Sequence, residues 1–316
     1  MWKLRCCTPM KTILPSDLSH RERHQLLLSG VSPRPIAFVG SMSAQGICNL
    51  SPYSFFNAFA SNPPIVAIGP AIAAKTGMAK DTWLNILETK ECTISAVTHE
   101  IVHRMNLTSG GYPPEVDEFE VAGFTKRPSV IVAPPSVAES PYSMECKLME
   151  NIELRRDIGG NGNLMLLEVV AFHVSDSIVV DGKIDPHKLD LVGRMGGSYY
   201  TSTRDTFEAS QPMHICIGMD ALPEHIRTSP ILTGNELAQL AYVPVLPVLD
   251  GSFPEFDSSY RADNFEIELD SGNPEGALFV LLNSSERHDR IKLHRIAQVL
   301  IGQGRISEAW QTLLTE

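Results

Sequence analysis

The stretch SPRPIAFVGSMSAQGICNLSPYSFFNAFASNPPIVAIGP, Ser32–Pro70, decides the fold. "PIAFVGS" is apolar and β-compatible, and "SAQG" is a turn with Gly46 where positive φ is tolerated. "ICNLSPY" returns, so the pair reads as a hairpin, and "PPIVAIG" reads as a third strand. Between them, "NLSPYSFFN" mixes hydroxyls, amides and aromatics that a plain barrel strand does not need. With the strand period of two, Asn49 and Ser51 share one face and Leu50 points the other way. Pro52 cannot donate to a ladder, so regular pairing is expected to stop there, freeing Ser54 and the following backbone for a ligand. Phe55 and Phe56 add flat apolar surface, the texture of a pocket for a planar heteroaromatic ring with polar edges. A strand end with ordinary caps and a core Phe pair explains the same residues, and both readings stay open on this segment alone.

Working outward, "SHRERHQLLLSG" before the stretch is a short helix, capped by Ser19 and ended by Gly30. After it, "KDTWLNILETK" is a helix with Asp81 as N-cap and Trp83, Leu84, Ile86 and Leu87 as apolar cover. "ECTISAV" is a strand, and "TSGGYPPEVDEFEVAGF" is loop-rich. "APPSVAESPYSMECKLMENIEL" and "NLMLLEVVAFHVSDSIV" are long strand regions joined by the Gly-rich turn "RRDIGGNGN". Many strands and few helices predict a mainly β protein, an antiparallel barrel with added helices. No GxGxxG follows a strand and no GxxxxGK[ST] occurs, which argues against Rossmann and P-loop sites.

From about Phe207 the texture becomes Pro-rich and loop-like, and "ERHDRIKLHRIAQVLIGQGRISEAWQTLLTE" then reads as two helices broken at "GQG". One such αα-hairpin is marginal alone, so docking on the barrel or on a second subunit is expected. The expected organisation is a 1–20 extension, a 21–206 barrel domain and a 207–316 C-terminal extension.

The 316-residue chain is 43% hydrophobic and 20% charged, ordinary values for a globular protein. Its net charge of -11 argues against nucleic acid as main partner. No apolar run approaches the roughly 20 residues of a membrane-spanning helix. "MWKLRCCTPMKTILPSDL" lacks a continuous apolar core, so no signal peptide is expected. The six cysteines, Cys6, Cys7, Cys48, Cys92, Cys146 and Cys216, form no CxxC, so free thiols in the cytoplasm and no metal site are expected.

Four further features could carry chemistry. Arg34, before Pro35, is a bidentate partner for phosphate or carboxylate, or one half of a surface ion pair. Lys80, Asp81 and Thr82 open a helix, where free N–H groups, a Lys and a hydroxyl suit an anion, although most helix starts are only caps. His173 shares a face by parity with Met165, Leu167, Val169 and Ala171, as a core histidine or a cofactor contact. "GRMGGSYY", Gly193–Tyr200, is a turn packed on the barrel or a lid over a planar ligand.

Taken together, these pieces resemble the flavin reductase-like family with the FMN-binding split β-barrel, a Greek-key antiparallel barrel. The match is nearest the branch with flavoredoxin and the flavin-supplying components of two-component monooxygenases. It rests on "LLLSGVSPRPIAFVGS", "GICNLSPYSFFNAFASNPP", "KDTWLNI", "HVSDSIVVDGKID" and "LDLVGRMGGSYY", in order from Leu26 to Tyr200. The resemblance implies FMN near a homodimer interface and hydride transfer from NADH or NADPH. A partner monooxygenase or another acceptor would take the electrons. It implies that Asn49, Ser51, Ser54 and Phe55 contact the flavin, with Leu50, Phe56 and Pro35 beside them. Arg34, Lys80 and Thr82, with Asp81, would serve the phosphate end, and His173 and the "GRMGG" loop would lie near. Three rivals remain: an electron carrier of the same fold, a split-barrel oxidase or oxygenase, and a degenerate barrel whose C-terminal hairpin acts. The roughly 110-residue C-terminal region departs from the compact family barrel.

Overall fold

The computed structural model describes residues 10–72, 79–154, 162–209, 211–212 and 214–315. Two compact units divide the chain, Met1–Phe207 and Glu208–Glu316.

The first unit opens with helix α1 (His20–Gly30), whose Ser19 and Glu22 form a capping box. Strands β1 (Ala37–Met42), β2 (Cys48–Tyr53), β3 (Phe56–Ser61) and β4 (Pro64–Ile68) follow, then helix α2 (Asp81–Thr89) and strand β5 (Glu91–Ser95). Helices α3 (Val102–Leu107) and α4 (Glu118–Val121) and the two-residue strands β6 (Lys126–Arg127) and β7 (Ser136–Val137) lead to two long strands. These are β8 (Tyr142–Glu153) and β9 (Asn163–Val174); the Gly-rich turn expected between them lies outside the described residues. Small hairpins close the unit: β10 (Val179–Val180) with β11 (Lys183–Ile184), then, after helix α5 (Pro186–Leu189), β12 (Val192–Arg194) with β13 (Tyr200–Ser202).

Seven strands form one antiparallel sheet in the order β2-β1-β5-β8-β9-β4-β3. Its edge strands, β2 and β3, are joined by only Ser54 and Phe55. Two residues reach no more than about 10 Å, so the two edges must come together at that point. The sheet is therefore a barrel, and because β2 and β3 do not pair, it is split along that seam.

Two features keep the seam open. The β2 edge amide of Leu50 is taken by the Glu118 carboxylate at 3.0 Å. Pro52, next along the same edge, has no N–H to offer. The expectation that pairing stops at Pro52 is therefore corrected: β2 continues, with Pro52 opposite Phe38 and Tyr53 opposite Ala37. A proline is tolerated there because its missing donor faces the open edge rather than β1. The expected third strand is β4, and β3, which alternates poorly and is exposed along most of its length, is an additional strand. Beside the seam the β3–β4 ladder runs on by one pair: Gly69 donates its N–H to the Phe55 carbonyl at 2.8 Å, and a Cβ on Gly69 would stand 2.9 Å from the Phe55 Cβ, so a larger residue would push these two segments apart.

The barrel interior is filled by Ala37, Val39, Ile68, Ile94, Cys146 and Leu167, with Ile86 of α2 packed against them. On the outer face, Phe38 and Leu50 pack with Ile101, Met105 and Phe119 under α3 and α4. α1 differs, since it buries no residue and leaves Leu26 and Leu27 exposed.

The second unit has its own core. Its helices are α6 (Glu224–Arg227), α7 (Gly234–Leu240), α8 (Phe265–Asp270), α9 (Pro274–Leu282), α10 (Arg290–Gly302) and α11 (Ile306–Leu314). The hairpin α10–α11 matches the sequence reading; the earlier helices replace the expected loop. Four to nine residues each, they are too short to show a hydrophobic period, and caps such as Thr233, Asn264 and Asn273 define them instead. The hairpin packs on these helices, with fully buried Trp310 donating to the Leu240 carbonyl at 3.0 Å. Among the described residues no helix is long and apolar enough to cross a membrane.

Candidate functional site

β2 presents two faces. Asn49, Ser51 and Tyr53 lie opposite Ser41, Val39 and Ala37 of β1, so their side chains share the interior face with Val39 and Ala37. The Asn49 amide donates to both Glu118 oxygens at 2.9 Å. Its carbonyl oxygen accepts from Thr82 Oγ1 at 2.7 Å and Ser41 Oγ at 3.2 Å. Ser41 in turn accepts from Asn85 Nδ2 at 3.2 Å. These side chains are buried and satisfied by one another, so Asn49 and Thr82 brace the site from beneath. Leu50 is fully buried in the outer layer and offers no surface. Burial outweighs the bonds from Leu50 and Asn49 and pushes the Glu118 carboxyl up, and the Asp81 charge adds to this.

One group in this layer is left over. The Tyr53 hydroxyl is buried without a hydrogen-bond partner. The Thr82 and Ser51 hydroxyls stand beside it, yet neither makes a bond of good geometry; burial pushes the phenol up to about 12. Such an orphan costs roughly 1–3 kcal/mol, which a polar ligand would recover. Above it sits the start of α2. Lys80, not Asp81, is the N-cap residue, and it makes no side-chain cap bond. Asp81 is displaced into the first turn, where its charge suits the helix dipole. Trp83 donates its N–H to the Lys80 carbonyl at 2.9 Å, while among the described residues the N–H groups of Asp81 and Thr82 have neither an intrahelical partner nor a side-chain cap. Lys80 is exposed, and Ser51 and Asp81 are half-buried. At the seam Ser54 and Phe56 are half-buried and Phe55 is 44% exposed.

The outer face carries charge. A cleft of about 530 Å³ is lined by Arg21, His24, Arg34, Arg194, Asn106 and Tyr200, among others. Arg34, only 5% exposed, donates from Nη1 to the carbonyls of Leu28 at 2.6 Å and Val31 at 2.5 Å, from Nη2 to Met195 at 3.1 Å, and from Nε to Ser54 Oγ at 3.4 Å. Burial, then the Arg194 charge, pushes its guanidinium down from its ordinary value. These bonds tie the end of α1 to the "GRMGG" loop. The approach is close enough that a Cβ on Gly196 would stand 2.6 Å from Ser29 Oγ. Arg194 lies 4.6 Å over the Tyr200 ring and donates to the Gly197 carbonyl at 2.7 Å. Pro35 beside Arg34 is exposed.

Arg34 lines this cleft, and Lys80 is not among its lining residues. Asn49 is about 16 Å from Ser54 along a strand rising about 3.3 Å per residue. Asn49 bonds Thr82 in the inner group, and Arg34 bonds Ser54 in the outer one; the chain passes from one to the other through Tyr53 and Ser54.

His173 belongs to neither. Ala171 pairs with Glu145 while Val169 pairs with Cys146, so Val170 is an extra, bulged residue. The bulge flips the parity, and His173 leaves the face of Met165, Leu167 and Val169 for the outer one. Its Nε2 lies 2.7 Å from the fully buried Glu145 carboxylate, which also accepts the N–H groups of Val130, Ile131 and Val132. Burial would raise Glu145, but these bonds outweigh it and hold the carboxyl below its usual range.

Sequence reasoning missed Tyr53, Glu118, Arg21 and His24. Tyr53 was within reach, since the parity that pairs Asn49 with Ser51 includes it. Arg21 and His24 share one face of α1 at a spacing of three. Glu118 gave no signal, because it lies 68 residues from the amide it accepts.

The family described as flavin reductase like domain matches residues 29–184. An uncharacterized protein of Halalkalibacterium halodurans is 38% identical over 204 residues, 63% of this chain and 95% of that protein. Nitrilotriacetate monooxygenase component B of Bacillus cereus superimposes with a TM-score of 0.61 at 32% identity, covering 64% of this chain and all (100%) of that one. A Shewanella frigidimarina chain described as a flavin reductase with split barrel domain gives a TM-score of 0.54 at 26% identity, over 63% and 96% of the two chains. The chain belongs to the flavin reductase-like family, and its barrel is the split barrel of that family.

Proposed function

We propose that the chain binds FMN and works as an NAD(P)H-dependent flavin reductase, an oxidoreductase whose donor is NADH or NADPH. The observation that carries this reading is the orphaned, buried Tyr53 hydroxyl beneath the uncapped start of α2, in a chain of this family. Bound flavin supplies the hydride-accepting chemistry, and the protein supplies binding, orientation and electrostatics.

In this reading Lys80 and the first-turn N–H groups of α2 hold the phosphate, with Asp81 setting the first turn. Ser51 and the Tyr53 hydroxyl donate to the sugar-like chain, and Ser54, Phe55 and Phe56 border the ring. Asn49, Leu50 and Thr82 fix β2 against α2 and α4. Arg34, with Pro35 beside it, holds Ser54 and the α1 end. His173 stays with Glu145 on the outer face and is given no flavin contact.

A homodimer accords with two uncovered surfaces, the exposed edge strand β3 with Phe59 at 65% exposure and α1 with Leu26 and Leu27. A partner monooxygenase as acceptor accords with the named role of the Bacillus cereus neighbour. A reducing cytoplasm suits the free thiols of Cys48, Cys92, Cys146 and Cys216.

The test is anaerobic mixing of FMN-loaded protein with NADH or NADPH. Rapid bleaching of the flavin band is expected. Flavin that binds but does not bleach contradicts the reductase and leaves an electron-transfer flavoprotein; failure to take up FMN contradicts both.

A further inference from the structure

The outer cleft is unlike the rest of this chain. The protein carries a net charge of -11, yet three guanidiniums and an imidazole surround one cavity of about 530 Å³. Among the described residues, no carboxylate makes an ion pair with Arg21, Arg34 or Arg194. Clustering like charges without counter-charges is costly unless an anion joins them.

The three arginines are held differently. Arg34 is buried, with four N–H bonds to Leu28, Val31, Met195 and Ser54, so its position is fixed. Arg194 is set by the Tyr200 ring and the Gly197 carbonyl. Arg21 and His24 reach in from the exposed face of α1. Neutral donors complete the wall: the Asn106 carbonyl oxygen accepts from the Tyr200 hydroxyl at 2.7 Å, which leaves its NH₂ group to donate elsewhere. A lone carboxylate is satisfied by one guanidinium fork, whereas this wall suits a ligand with two or more negative charges. The volume is also that of a small-molecule site, about 300–1,000 Å³.

We propose that the cleft binds the phosphates of the dinucleotide electron donor. This rests on the flavin reductase reading above. Ser54 lines the cleft and Phe55 follows it at the seam, so a donor anchored by its phosphates on the outer face lies beside the opening to the inner one.

The experiment uses the full chain, loaded with FMN, and the variants Arg21→Ala and Arg194→Ala. Each is expected to raise KM for NADH or NADPH about tenfold, the loss of one charge-assisted bond. FMN affinity should shift by less than about twofold, as for separate sites. Inorganic pyrophosphate should compete with the donor. An unchanged KM in both variants overturns the proposal, as does an equal loss of FMN affinity, which would give the cleft to the flavin's own phosphate. Competition by benzoate but not by pyrophosphate also overturns it, in favour of a carboxylate substrate. Calorimetric titration with pyrophosphate needs no flavin, so it separates this proposal from the reading beneath it. Binding by the parent chain that Arg21→Ala abolishes supports the anion site even if FMN uptake fails; no binding overturns the site. Arg21 is exposed on α1, so its substitution leaves folding untouched.

Discussion

The two faces of β2 differ in kind. Inside, Asn49, Ser51 and Tyr53 meet Thr82, Ser41 and Asn85 in a buried layer braced by the Glu118 carboxylate, with one hydroxyl left over. Outside, the same stretch of chain borders a cleft with three arginines and a histidine. A period of two is enough to sort a carboxylate-braced hydrogen-bond network from an arginine-lined cleft within six residues. The difference teaches that the polar stretch is not the wall of a single pocket. It is a partition, and ligands on its two sides would meet at the Ser54–Phe55 seam.

Removing the partition's brace should have the largest effect. Glu118→Ala leaves the Leu50 N–H and the Asn49 amide buried without their acceptor. A loss of about 3 kcal/mol is expected for the barrel unit, read as a lower calorimetric transition; an unshifted transition would show that Glu118 does not hold the edge.

Next comes the charge at the inner end. Lys80→Ala should weaken FMN about tenfold and riboflavin hardly at all. Equal loss for both would remove Lys80 from the phosphate. A smaller change is expected from Tyr53→Phe. Deleting an orphaned hydroxyl should leave stability level or raise it by up to about 1 kcal/mol, while FMN affinity falls about fivefold. Lower stability with unchanged affinity would mean the hydroxyl has a structural partner instead.

The smallest effect is on pH dependence. Glu118 has its folded pKa raised above 4.5, so just above that value the folded state binds more protons than the unfolded one. Stability therefore falls as pH rises through this window, and Glu118→Gln should flatten that slope. Glu145, held low, acts the other way: its contribution is lost as pH drops below 4.5. A slope unchanged in Glu118→Gln would locate the titration elsewhere.

Much of this was legible in the sequence because it depends on local pattern. The strands around "SAQG", the α2 segment, the long β8 and β9 and the C-terminal hairpin all follow from period, turn and cap residues. What was not legible depends on partners far along the chain. Pro52 could be read as a ladder end, since only the sheet order shows that its missing donor faces an open edge. The Val170 bulge moved His173 across the sheet, and no residue type announces a bulge. Arg34 looked like a phosphate ligand on its own, but its N–H groups were already engaged by carbonyls from α1 and a loop 161 residues away.

The most direct test of the central claim is an FMN titration of the full chain, followed by flavin fluorescence. Saturable quenching at one FMN per chain, weakened by Lys80→Ala and Tyr53→Phe but not by Arg21→Ala, is the predicted result. No saturable binding, or weakening by Arg21→Ala alone, would contradict the placement of a flavin on the inner face.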